Sequence, residues 1–79
     1  MLKEIRETRG MSQQDLADKS GITKRMIQAY EQGYRSINGA KLTTLVTFCI
    51  ALECSLSEIV DDSQLVKDLK ALEVEHEVD

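Results

Sequence analysis

The chain has 79 residues, 30% of them charged and 42% hydrophobic, with no proline, four glycines, two Tyr and a single Phe. That length makes one small domain, able to fold alone with little margin. No apolar run approaches the roughly 20 residues a membrane span requires, and the opening Met-Leu-Lys-Glu-Ile-Arg-Glu is charged and amphipathic rather than signal-like. The formal net charge of −4 argues at first against a phosphate-bearing partner, but it is unevenly divided. Residues 1–41 hold eight Lys or Arg against five acids, a surplus of +3, while residues 42–79 hold two against nine, a deficit of −7. The field at a contact face matters more to phosphate binding than the whole-chain balance.

Strand-like alternation is missing, so the chain reads as all-α. Apolar spacing predicts helices at about 2–9, 13–20, 24–32, 41–53, 56–61 and 63–75, with a loop from Gly33 to about Gly39. Ser12 can cap the second helix, and Asp15, three residues on, suits its electropositive first turn. Leu16 and Ser20 share a face, and Ala17 gives the small contact that two steeply crossing helices need. Gly21 stands where the chain must reverse, Ile22 packs inward, and Thr23 can cap the third helix. Ile27 and Tyr30 turn that helix toward the body, which leaves Lys24, Arg25, Gln28 and Ala29 facing out. In the following loop Ile37 is expected to tuck into the core. Leu42, Leu45, Phe48, Cys49 and Leu52 are expected to form the apolar stripe of the fourth helix. With Ile5, Leu16, Ile22, Ile27, Leu56 and Ile59 they compose the expected core.

Cys49 and Cys54, five apart on or beside one helix, should point in different directions. They read as two small apolar residues rather than a disulfide. With the lone His76 they offer too few ligands for a metal. Asp61-Asp62-Ser63 breaks the pattern and can cap a sixth helix. Its Leu65, Leu69 and Leu72 must bury against something, because a solitary helix of about twelve residues is marginal in water. The expected occupant is a second copy, with the chain's own fourth and fifth helices as the alternative. Beyond Val74 the acidic end is expected to be disordered.

From about Leu2 to Val60 the chain resembles the phage-repressor and Cro type of helix-turn-helix, the XRE family. The resemblance is carried by an ordered set of residues: Ile5-Arg6, Met11-Ser12-Gln13, Leu16-Ala17 with Gly21, and Tyr30-Glu31-Gln32-Gly33. The set continues through Ala51-Leu52-Glu53-Cys54-Ser55-Leu56 to Ile59-Val60. It implies a five-helix lambda-repressor-like DNA-binding domain over residues 1–61, with an acidic C-terminal helix and tail at 62–79. The first helix starts about a turn later than is usual in the family, and fraying is expected there. The loop after Gly33 is a few residues longer than in the simplest members.

The resemblance also assigns roles. Lys24 and Arg25 occupy the first exposed turn of the recognition helix, where the family reads base edges; Arg can donate twice to guanine O6 and N7. Gln28, one turn on, can pair with adenine or reach a phosphate, and Ala29 offers only a methyl contact with thymine. Gln13 matches the family's phosphate anchor at the start of the second helix. Thr23 and Arg35 are further candidate phosphate contacts. Arg6 and Glu31 match a structural charge pair between the first and third helices.

No catalytic constellation, phosphate-cradling glycine loop or cofactor motif is present in the sequence, and neither an enzyme nor a small-molecule substrate is expected. The expected function is a cytoplasmic, sequence-specific regulator of transcription, a repressor that binds double-stranded DNA as a homodimer. The alternative is a protein-interaction module, such as the antitoxin half of a toxin pair, acting through the acidic C-terminal half.

Overall fold

The structure, a computed structural model, describes residues 1–75. Six α-helices follow one another: α1 (Leu2–Thr8), α2 (Gln13–Ser20), α3 (Lys24–Glu31), α4 (Leu42–Leu52), α5 (Leu56–Ile59) and α6 (Ser63–Glu75). One short 3-10 turn, Ile37–Gly39, interrupts the loop before α4, and no strand occurs among the described residues. The fold is therefore all-α, with α1 to α5 in the expected places.

Local chemistry accounts for the helix ends. Ser12 and Asp15 form a reciprocal capping box: Asp15 N–H donates to Ser12 Oγ at 3.0 Å, and Ser12 N–H donates to Asp15 Oδ2 at 2.9 Å. Gly21 ends α2 at φ 77°, a left-handed conformation that lets α3 start three residues later. Thr23 Oγ1 accepts from Met26 N–H at 3.2 Å and caps α3. Ser55 and Glu58 repeat the reciprocal box on α5, and Asp62 Oδ1 accepts from Leu65 N–H at 2.8 Å at the start of α6. Leu2, 4% exposed, seats the short first helix in the core.

Leu16, Ile27, Phe48, Leu52 and Ile59 are fully enclosed at the centre, and Tyr30 meets Phe48 edge-on with ring centroids 6.0 Å apart. Ile37 is buried, as its loop position predicts. Ile5, Ile22, Cys49 and Leu56 are half-buried and pack against the centre. Leu42 departs from expectation. It is 65% exposed, because the inward face of α4 runs through Leu45, Phe48, Ala51 and Leu52, about a quarter turn away.

The cysteines also depart from expectation. Glu53 adopts φ 52°, and Cys54 N–H donates back to the Cys49 carbonyl at 3.1 Å. This six-to-one closure folds Cys54 over Cys49, so the two free thiols lie together rather than apart. Burial first, and then the neighbouring Cys54 thiol, push Cys49 up to about 12. The pair packs against the core as small apolar groups.

Helix α6 lies against α5 of its own chain, the arrangement expected above as the alternative to a second copy. Leu65 and Leu69 are half-buried, Leu72 remains 51% exposed, and Ser57 Oγ donates to Glu73 Oε2 at 3.4 Å. The expected disorder beyond Val74 falls mostly on residues 76–79, outside the described residues; α6 itself continues through Glu75.

Two substitutions test the turn chemistry. Nothing lies within 4 Å of a Cβ built at Gly21, so Gly21→Ala should cost only the backbone term, about 1 kcal/mol. Glu53→Gly should stabilise by about the same amount, because it relieves a left-handed non-glycine residue. Urea unfolding midpoints read both, and an unchanged midpoint for either contradicts the assignment.

Candidate nucleic-acid interface

Helix α3 packs on α2 and turns Ile27 and Tyr30 inward. Lys24 and Arg25 are exposed on its first turn, while Gln28 and Ala29 are half-buried. That first turn contains no acid, unlike α2 with Asp15 and α5 with Glu58. Adjacent cations at the positive end of a helix dipole are locally unfavourable. Among the described residues neither is in an ion pair. Contacts within the fold do not account for them.

A hydrogen-bonded chain links this face to the body. Arg6 Nε donates to Glu31 Oε2 at 2.7 Å and Arg6 Nη2 to Glu31 Oε1 at 3.0 Å, a two-pronged pair with side chains 8% and 3% exposed. Arg6 Nη1 also donates to the Met11 carbonyl at 2.7 Å. Gln13 Nε2 donates to Glu31 Oε1 at 3.0 Å, and Gln28 Nε2 donates to Gln13 Oε1 at 3.3 Å. Burial works to raise the Glu31 carboxyl, but the Arg6 and Gln13 bonds and the charges of Arg6 and Lys3 outweigh it, leaving it below its ordinary range. The Glu31 bond raises Arg6 above its ordinary value against the opposing effect of burial. Among the described residues no fully buried side-chain nitrogen or oxygen lacks a partner.

Apart from the half-buried Ala29, the sequence-expected residues thus fall into two groups. Arg6, Glu31, Gln13 and Gln28 are joined, and the amide of Gln28 is directed at Gln13 rather than at solvent. Lys24, Arg25, Thr23 and Arg35 are exposed, with Thr23 also capping α3. Two further cations have contacts that no sequence motif assigned. Lys41, just before α4, lines an open groove of about 480 Å³ with Met26, Tyr30, Arg35, Ser36 and Thr44. Its position one residue ahead of a helix N-terminus was the available signal. Arg9 is occupied internally, donating to the Leu52 carbonyl at 2.8 Å and the Glu53 carbonyl at 3.2 Å. No local pattern marks that contact, which spans more than forty residues of chain.

With the two capped helices, the tight turn and the cationic first turn of α3 in place, the fold defines a helix-turn-helix protein. The helix-turn-helix family model matches residues 2–59, and the chain belongs to that family, the XRE type of DNA-binding regulator. No curated protein and no solved structure gives a match. No helix among the described residues is long and apolar enough to cross a membrane.

The Arg6–Glu31 pair gives two expected outcomes. Glu31→Ala should lower the unfolding free energy by about 3–5 kcal/mol, because it strands a sheltered Arg6. Acid should act on the same pair. The folded pKa of Glu31 lies below its ordinary 4.5, so the pair's contribution is whole above pH 4.5 and lost as pH falls through the lower folded value. Asp15, lowered by the Ser12 backbone bond and then by its hydroxyl, acts in the same direction. Glu31→Gln should therefore be less stable near neutrality yet lose less than the parent on acidification. Urea midpoints at neutral and acidic pH check this, and parallel losses in the two proteins would remove Glu31 from the acid response.

Proposed function

We propose that the protein is a sequence-specific repressor that binds double-stranded DNA as a homodimer in the cytoplasm, with α3 in the major groove. The observation that carries this reading is the exposed Lys24–Arg25 pair at the positive end of α3, with no acid in that turn. Lys24 and Arg25 read base edges, and Ala29 contributes a methyl contact that tolerates substitution in the site. Gln28 reaches a base only by leaving Gln13; otherwise it braces the amide of Gln13, whose second N–H is available to a phosphate. Thr23 at the start of α3, and Arg35 and Lys41 around the groove beside it, supply further phosphate contacts.

Selection of duplexes from a random pool should return a palindromic site. At that site Arg25→Ala should cost about 1–3 kcal/mol and relax preference at one base pair, whereas Gln13→Ala should weaken all sequences about equally. Log affinity should fall with log salt by about 0.9 per neutralised phosphate. Uniform weakening by Arg25→Ala would make Arg25 a phosphate contact. A flat salt dependence would overturn the DNA reading.

A further inference from the structure

Helix α4 carries no charged residue from Leu42 to Leu52, in a chain of which 30% is charged. Its inner face supplies Leu45, Phe48, Ala51 and Leu52 to the core. Its outer face is apolar as well: Leu42 is 65% exposed, Val46 41% and Ile50 72%. Spacing by four stacks these side chains in one stripe about 12 Å long. Thr47 flanks the stripe with its hydroxyl already satisfied, donating to the Thr43 carbonyl at 2.8 Å. The fold does not require three large apolar groups here, since polar helix formers would serve an exposed face as well.

We propose that the Leu42–Val46–Ile50 stripe is the surface through which two copies of the chain pair; the proposal rests on the dimeric DNA-binding reading and names its interface. The charge pattern selects the occupant. A nucleic acid or an anionic membrane needs cations, and a charged peptide needs counter-charges; the stripe offers neither. Two copies each carrying −4 repel one another, so they associate through a face free of charge. Among the described residues α4 is the one α-helix with no charged residue. An apolar stripe is its own complement across a two-fold axis, and a charge-depleted centre is characteristic of such interfaces. The rival leucines of α6 are already partly used against α5.

Three side chains fall short of the ~800 Å² per partner of a standard interface. Pairing is therefore weak in free solution and tightens when one duplex holds both copies at high effective concentration.

Sedimentation of the full chain without DNA, from ~10 µM to ~1 mM, tests the proposal. The parent should show a concentration-dependent dimer. Val46→Gln/Ile50→Gln, uncharged and on exposed positions, should raise the dimer dissociation constant about tenfold or more with helicity and melting temperature retained. Leu42→Gln, on the first turn, gives the same reading should the double variant lose helicity. Leu72→Gln on α6 should leave dimerisation unchanged. A parent that stays monomeric throughout, or stripe variants that dimerise as it does, overturns the proposal. Affinity for a mixed duplex at low salt, measured on the same proteins, tests the DNA reading separately: a chain that dimerises through the stripe but ignores DNA overturns that reading and leaves the interface standing.

Discussion

Glu31 is the last residue of α3, and its carboxylate is held almost out of water against Arg6 of α1. Placing two charges there costs solvation that their attraction roughly recovers, so the pair adds less to net stability than its geometry suggests. Its value is directional. The two-pronged contact fixes α3 relative to α1, the third Arg6 bond fixes the chain entering α2 through the Met11 carbonyl, and Gln13 fixes α2 relative to α3. A single carboxylate thereby sets the mutual orientation of three helices. The same chain ends on Gln28, so the seating of the first three helices and the posture of the Gln13 and Gln28 amides are one problem.

The same economy resolves the charge balance. Of the cations in the first half, Arg6 and Arg9 are consumed inside the fold, one on Glu31 and the other on the carbonyls that end α4. Lys24, Arg25, Arg35 and Lys41 remain exposed around α3 and its groove. Several acids of the second half serve as local caps: Glu58 on α5, Asp62 on α6, and Asp61 in the bond network of Asn38. The acidity is built into helix ends remote in sequence from α3, which is how a chain of net charge −4 keeps a cationic face.

What was legible in the sequence was what local chemistry determines. Ser12, Asp15, Gly21 and Thr23 announce their turns within four residues, and Arg6 and Glu31 were paired through a family resemblance. What was missed depends on geometry that no short window contains. The cysteines meet because residue 53 takes the left-handed position, and a glutamate there, where a glycine would have announced the turn, conceals it. Leu42 reads as core by spacing, yet the inner face of α4 is fixed by which side meets α2 and α5. The amide chain through Gln13 and Gln28 joins residues fifteen apart across the turn. Asn38 was wholly silent, although its side-chain oxygen accepts from both Asp61 and Asp62 N–H groups and ties the loop before α4 to the start of α6.

That Asn38 bracket bears on what α6 is for. Helix α5 has four residues, too few to hold its shape alone. It survives because Ile59 is fully enclosed, because Ser55 and Glu58 cap it, and because α6 covers it while Glu73 reaches Ser57. Helix α5 in turn supports α4 and α1, and α1 carries the arginine that positions α3. Removing the tail therefore withdraws support along the line that ends at α3. A chain cut at Asp62 would lose the α6 cover and its contacts together, so any loss of pairing in it would confound association with folding. Substitutions on the outer face of α4 avoid this, since those side chains project from a helix whose inner face and neighbours stay intact.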